Sequence, residues 1–120
     1  MRAVDFSDSI SLRDKLLIEE GTEAQWCLFD PIVSVIYGLK YQATKQKELL
    51  DKQIRYFNRA LGQITNVNEG VRSFKCPELY YLESREYRTN DNVPLLWTQA
   101  NLLMAFHALE NSLSEVDPNF

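Results

Sequence analysis

The chain has 120 residues, 45% of them apolar and 25% charged, with four glycines and four prolines. That is the composition of one small folded domain of ordinary globular type. A formal net charge of −4 disfavours nucleic acid and anionic membrane surfaces as partners. No apolar run approaches the ~20 residues that span a bilayer. The N-terminal stretch MRAVDFSDSISLRDKLL carries acidic residues where a secretory leader needs an uninterrupted apolar core. A cytoplasmic location is therefore expected.

Residues 1–8 show no period and read as a loose lead-in. Residues 10–20 (ISLRDKLLIEE) carry apolar side chains at Ile10, Leu12, Leu16, Leu17 and Ile18, which suits a short helix capped by Ser9 or Ser11 and ended by Gly21. From Glu23 to Lys40 apolar density rises, through Trp26, Leu28, Phe29, Ile32, Val33, Val35, Ile36, Tyr37 and Leu39. The β-branched run IVSVIY would suit a strand in isolation. Length and helical neighbours favour a helix, with Asp30-Pro31 as a cap and first-turn proline. Apolar residues nearly encircle it, so burial on most sides is expected.

Thr44 to Thr65 gives the clearest period, with Leu49, Leu50, Ile54, Phe57, Leu61 and Ile64 at three- and four-residue steps. The mixed charges around them (Lys45, Lys47, Glu48, Asp51, Lys52, Arg55, Arg59) read as a solvated face. Residues 66–70 (NVNEG) close this helix. Residues 71–92 have little periodicity and read as a long connection rich in aromatics (Phe74, Tyr80, Tyr81, Tyr87), a length that points to function rather than to mere linkage. Pro94 then opens a final helix to about Ser114. Its stripe is Leu95, Leu102, Phe106, Leu109 and Leu113, widened by Leu96, Trp97, Leu103 and Met104. Asp117-Pro118 stops it. The fold class expected is all-α, three to four helices.

Two cysteines, Cys27 and Cys76, are far apart and lack metal-binding spacing. Buried free thiols are expected, one disulfide being the alternative. The single histidine, His107, leaves no His cluster for zinc and no Ser-His-Asp set; it is expected to be partly buried and hydrogen-bonded. No metal or cofactor is expected.

Chemistry concentrates in Cys76-Pro77-Glu78-Leu79-Tyr80-Tyr81 and in Val93-Pro94-Leu95-Leu96-Trp97-Thr98-Gln99-Ala100. A carboxylate in a proline-restrained segment, near aromatics, suits a carbohydrate site. Ring faces stack on sugars while the carboxylate moves protons. The plain alternatives stand beside this. Glu78 would be a surface turn residue, and Trp97 would anchor the last helix in the core, which Leu95 and Leu96 favour. Tyr80 and Tyr81 are consecutive, so in an extended segment one faces in and one out. Glu83 is expected in a surface ion pair with Arg85 or Arg88. Glu23 and Trp26 read first as a helix-capping carboxylate and a core tryptophan, and second as a sugar-site border.

PELYY, NDNVPLLWTQANLLMAF, the closing EVDPNF and the upstream GTEAQWCLF together resemble the last part of the glucoamylase-like domain in phosphorylase kinase α and β subunits. More distantly they resemble the glucoamylases of glycoside hydrolase family 15. The resemblance covers about Glu20 to Phe120, with residues 1–20 as the lead-in. It implies the closing segment of an (α/α)6 barrel, a link to α-glucan or maltooligosaccharide, and Glu78 at the general-base position of an inverting reaction. It also implies that Trp26, Glu23, Tyr80 and Trp97 border the sugar. The family's general acid lies upstream of the matching portion, so the chain alone is expected to be inactive. The kinase-subunit likeness shifts weight toward regulation and binding. The second class of function is a non-catalytic helical protein that self-associates or binds a protein partner through its barrel-facing surface.

Overall fold

A computed structural model describes residues 24–119, together with the backbone but not the side chains of Glu69 and Val71. The expected helix over 10–20, and Glu23, lie outside the described residues. Within them the order is β1 (Gln25–Trp26), α1 (Phe29–Thr44), α2 (Lys47–Gly62), a 3₁₀ turn (Val67–Arg72), β2 (Leu79–Glu83), β3 (Glu86–Thr89) and α3 (Leu96–Val116). Most described residues are helical, as the periodicity predicts. The all-α expectation is corrected by a small antiparallel sheet in the order β1-β2-β3.

Pro31 occupies the first turn of α1, where a missing N–H costs nothing. The helix, not the strand that IVSVIY alone would suit, is realised. At its C-terminus Lys45 takes a left-handed conformation (φ 59°) and its N–H donates to the Tyr41 carbonyl at 2.7 Å, which turns the chain at once into α2. α2 therefore begins at Lys47 rather than Thr44.

α1 and α2 are antiparallel. The Ser34 hydroxyl donates to the Gln53 carbonyl (2.9 Å), Tyr37 stacks on Tyr56 (centroids 5.7 Å apart), and Asp30 meets Arg59 at 3.3 Å. α1 and α3 instead run parallel. The Asn101 amide donates to the Leu28 carbonyl at 3.2 Å, Gln42 donates to Ala108 O and Ser112 Oγ, and Lys45 pairs with Glu115 at 2.6 Å.

The faces that meet are not those expected. α1 buries Asp30, Pro31, Ser34, Gly38 and Tyr41, while Phe29, Ile36 and Leu39 are exposed. α3 buries Thr98, Asn101, Ala105, Ala108 and Ser112. The expected stripe of Leu95, Leu102, Leu109 and Leu113 is half-buried, Phe106 leans on Phe57, and Leu96, Trp97, Leu103 and Met104 face outward. Small residues win the contact because they let two backbones approach, so that amides on one helix reach carbonyls on the other.

Residues 79–89, expected as loop, form a hairpin with register Tyr80↔Thr89 to Glu83↔Glu86. Its two turn residues, Ser84 and Arg85, both have positive φ (51° and 68°), the requirement of a type I′ turn. Arg88 lies between the facing Glu83 and Glu86, 3.6 and 3.8 Å from their carboxylates, so Glu83 has its expected ion pair, with Arg88. The Val93–Pro94 peptide is cis.

Candidate functional site

Glu78 sits where three segments meet. Its carbonyl accepts the Cys27 N–H at 2.8 Å, extending the β1–β2 pairing, and its own N–H donates to Asn92 O at 3.2 Å. Leu95 N–H donates to Cys76 O at 2.8 Å, so the strand-like stretch before α3 lies along the Pro77-Glu78 segment. Pro77 and Cys76 are buried beneath. The side chain is half-buried. Its Oε2 accepts from the Asn90 amide and from the Asn92 amide, the latter at 2.7 Å. Oε1 accepts no hydrogen bond among the described residues. Glu78 is therefore not a loose turn residue but an oriented carboxylate with one oxygen held.

Trp26 lies opposite Leu79 on β1 and is 47% exposed, so it is not the core tryptophan expected. Gln25 lies opposite Tyr80. Tyr80 is half-buried and its hydroxyl donates to Gln63 O at 2.9 Å, which ties β2 to the end of α2. Tyr81 is half-buried too. Trp97, in the first turn of α3, is 61% exposed, which overturns its expected place in the core. The sheet thus brings Glu78, Trp26 and Tyr80 onto neighbouring strands, and the 92–95 pairing brings α3 and Trp97 to the same end. Glu23 lies outside the described residues.

Asn90 and Asn92 are the residues that sequence reasoning missed. They stand twelve and fourteen positions after Glu78, a separation with no local period, and only the hairpin between brings them back. Asp30, buried in the first turn of α1, is engaged by Gln63 Nε2 at 2.7 Å and by Arg59, which leaves it a structural carboxylate. His107 is exposed, not partly buried, and bonds Glu110 at 3.2 Å.

A small cavity of about 10 Å³ lies behind this segment, lined by Cys27, Cys76, Pro77, Gln63, Thr98 and Leu102 among others. That is room for about one water, far below a sugar ring. Both cysteines are free and buried, as expected. Burial first, then the charges of Asp30 and Cys76, pushes the Cys27 thiol up to about 12, and burial raises Cys76 as well. These are inert thiols, not nucleophiles. Among the described residues no group of three His, Cys, Asp or Glu side chains could hold a metal ion, and no helix is long and apolar enough to cross a membrane. No family model matches the chain, and no curated protein or solved structure matches it.

Proposed function

We propose that the chain is part of a glucoamylase-like (α/α)6 barrel of the phosphorylase kinase α/β type, acting in the cytoplasm in α-glucan hydrolysis or its regulation. The observation that carries this reading is the direction of the helices. In a ring of helix pairs, successive inner helices run parallel and each outer helix returns antiparallel behind them. α1 and α3 are adjacent and parallel, and α2 returns between them in the second layer. A three-helix up-down-up bundle shares these directions, and the ring reading differs from it in the further helix pairs it requires beside α1 and α3.

Glu78 is the general base of this reading. Oε2 is fixed by Asn90 and Asn92, so Oε1 is the oxygen that takes a proton from water. An inverting glycosidase also needs a general acid roughly 6.5–9.5 Å from the base. Among the described residues the other carboxylates of this segment are ion-paired, Glu83 and Glu86 with Arg88 and Asp91 with Arg72, so on this reading the acid comes from another part of the barrel and this chain alone is inactive. Trp26 and Trp97 are the exposed tryptophans available for stacking on maltooligosaccharide, Trp26 on the Leu79 face of the sheet and not on the face that carries Tyr80. Tyr80, with its hydroxyl committed to Gln63, borders the same end, and Glu23 is assigned to the sugar by the resemblance alone.

A second reading has its own support. Leu96, Trp97, Leu103 and Met104 are all exposed on α3, the surface of a non-catalytic protein that works by association.

The native mass of the protein drawn intact from its cells separates the two. The first reading expects an assembly with a longer chain that hydrolyses maltooligosaccharides, and Glu78→Gln in that assembly should lower the rate by about 10²–10⁴-fold. A lone chain, or a simple homo-oligomer without hydrolysis, leaves the association reading.

A further inference from the structure

We propose that the outer edge of β3 pairs with β3 of a second copy of this chain, about a two-fold axis perpendicular to the sheet, so that two three-stranded sheets join into one. This rests on neither Glu78 nor the glucan reading. In the order β1-β2-β3, β3 stands at an edge. The Asn90 N–H donates to Leu79 O at 3.3 Å, in line with the β2–β3 register. Backbone groups along an antiparallel strand point alternately to its two sides. Those of Glu86, Arg88 and Asn90 therefore face β2, and those of Tyr87 and Thr89 face away from it. Among the described residues nothing bonds these outward groups, and residues 86–88 are exposed.

Charge selects the partner and the register. Two outward rows join only where an outward residue meets an outward residue, so the possible registers lie two residues apart. With Tyr87 opposite its own copy, Glu86 of each chain lies opposite Arg88 of the other, and the contact occurs twice. A slip of two residues one way sets Arg88 against Arg88, and the other way sets Glu86 against Glu86. Like charges directly opposite are destabilising. The favoured register also makes Glu86 and Arg88 a non-hydrogen-bonded pair, whose Cα atoms approach to about 4.5 Å and whose side chains are closest.

Both groups are available for it. The Glu86 and Arg88 side chains are 75% and 57% exposed, and Arg88 meets Glu86 and Glu83 of its own chain only at 3.8 and 3.6 Å. Being two residues apart, Glu86 and Arg88 share one face of the strand, so in the pair the charges of the two chains alternate around a square. Tyr87, 50% exposed, projects from the opposite face and lies beside its copy. The four residues of β3 make a small contact, under the ~1,000 Å² of a stable pair. The association is therefore weak and depends on concentration.

Sedimentation equilibrium of the full chain, from about 10 μM to 1 mM, tests this. The expected result is a monomer–dimer equilibrium within that range. Glu86→Arg and Arg88→Glu should each weaken the dimer about tenfold, as two facing pairs turn repulsive, and the two together should restore it. Tyr87→Pro should abolish it, because it removes an N–H that only the second copy uses. The β2–β3 ladder keeps its own bonds, so the circular dichroism should be unchanged. A monomer throughout this range overturns the proposal. So does a dimer indifferent to Tyr87→Pro, or a charge-exchanged double variant that stays weak. No glucan enters the measurement, so its failure is distinct from failure of the barrel reading.

Discussion

Gln53 is fully buried in the middle of α2, and neither of its amide atoms has a hydrogen-bond partner among the described residues. Its side chain lies on Gly38, where an added Cβ would stand 2.3 Å from Nε2. Alanine normally gains about 1 kcal/mol over glycine within a helix. Here the buried amide has nowhere to go, so Gly38→Ala should destabilise by about 1–3 kcal/mol in urea unfolding. In a Gln53→Ala background the same change should stabilise, because the obstructing atoms are gone. Trp97 gives the opposite lesson. A large apolar residue at a helix start is expected in the core from sequence, yet its exposure predicts that Trp97→Ala shifts stability by less than about 1 kcal/mol, where a core tryptophan would cost about 3–5 kcal/mol. Hydropathy misleads here because the helices meet through small residues: Ser34 and Gly38 of α1 against Gln53 of α2, and Ala108 and Ser112 of α3 against Gln42 of α1, with Ala105 buried between them. Such residues carry little apolar signal, and only the fold shows that closeness of approach selects them.

Among elements, the three helices were legible because each has a sustained period; their ends moved by two to six residues, most at the start of α1, where Gln25–Trp26 is strand. The hairpin was not legible. Leu79-Tyr80-Tyr81-Leu82 does not alternate, β1 is distant in sequence, and Ser84-Arg85 lacks the Asn-Gly that announces a type I′ turn. Left-handed φ at two side-chain-bearing residues is unfavourable, so Ser84→Asn with Arg85→Gly should stabilise by about 1 kcal/mol, read as a shift in the urea midpoint. The segment that joins β1 to the strand after Pro77 buries Cys27 and Cys76. Cys27 is raised from 9.0 to about 12, so the folded chain keeps a proton that the unfolded chain releases. The contribution is full below about pH 9 and is lost as pH climbs toward 12. Urea midpoints should therefore fall between pH 8.5 and 10.5 (about two units spanning the onset), and Cys27→Ser should flatten that fall. A thiol-reactive disulfide reagent should leave both cysteines untouched until unfolding.

At the scale of the molecule, the local contacts are those of an α-helical hairpin, and the distant ones lay α3 parallel to α1. Sequence motifs pointed to Glu78 and its aromatic neighbours, because those signals are contiguous. They did not show that Asn90 and Asn92 grip the carboxylate, since that depends on the intervening hairpin folding back. Nor could periodicity reveal that α1 and α3 run the same way. That direction has an electrostatic consequence. Two helix N-termini, each equivalent to roughly +0.5 of a charge, point toward the end occupied by Glu78, and the single C-terminus of α2 offsets only one of them. The far end carries the reverse imbalance, and there Lys45 closes α1 beside Tyr41 and reaches Glu115. The molecule is thus polarised along its length, with its helical dipoles favouring an anion at the hairpin end and a cation at the other.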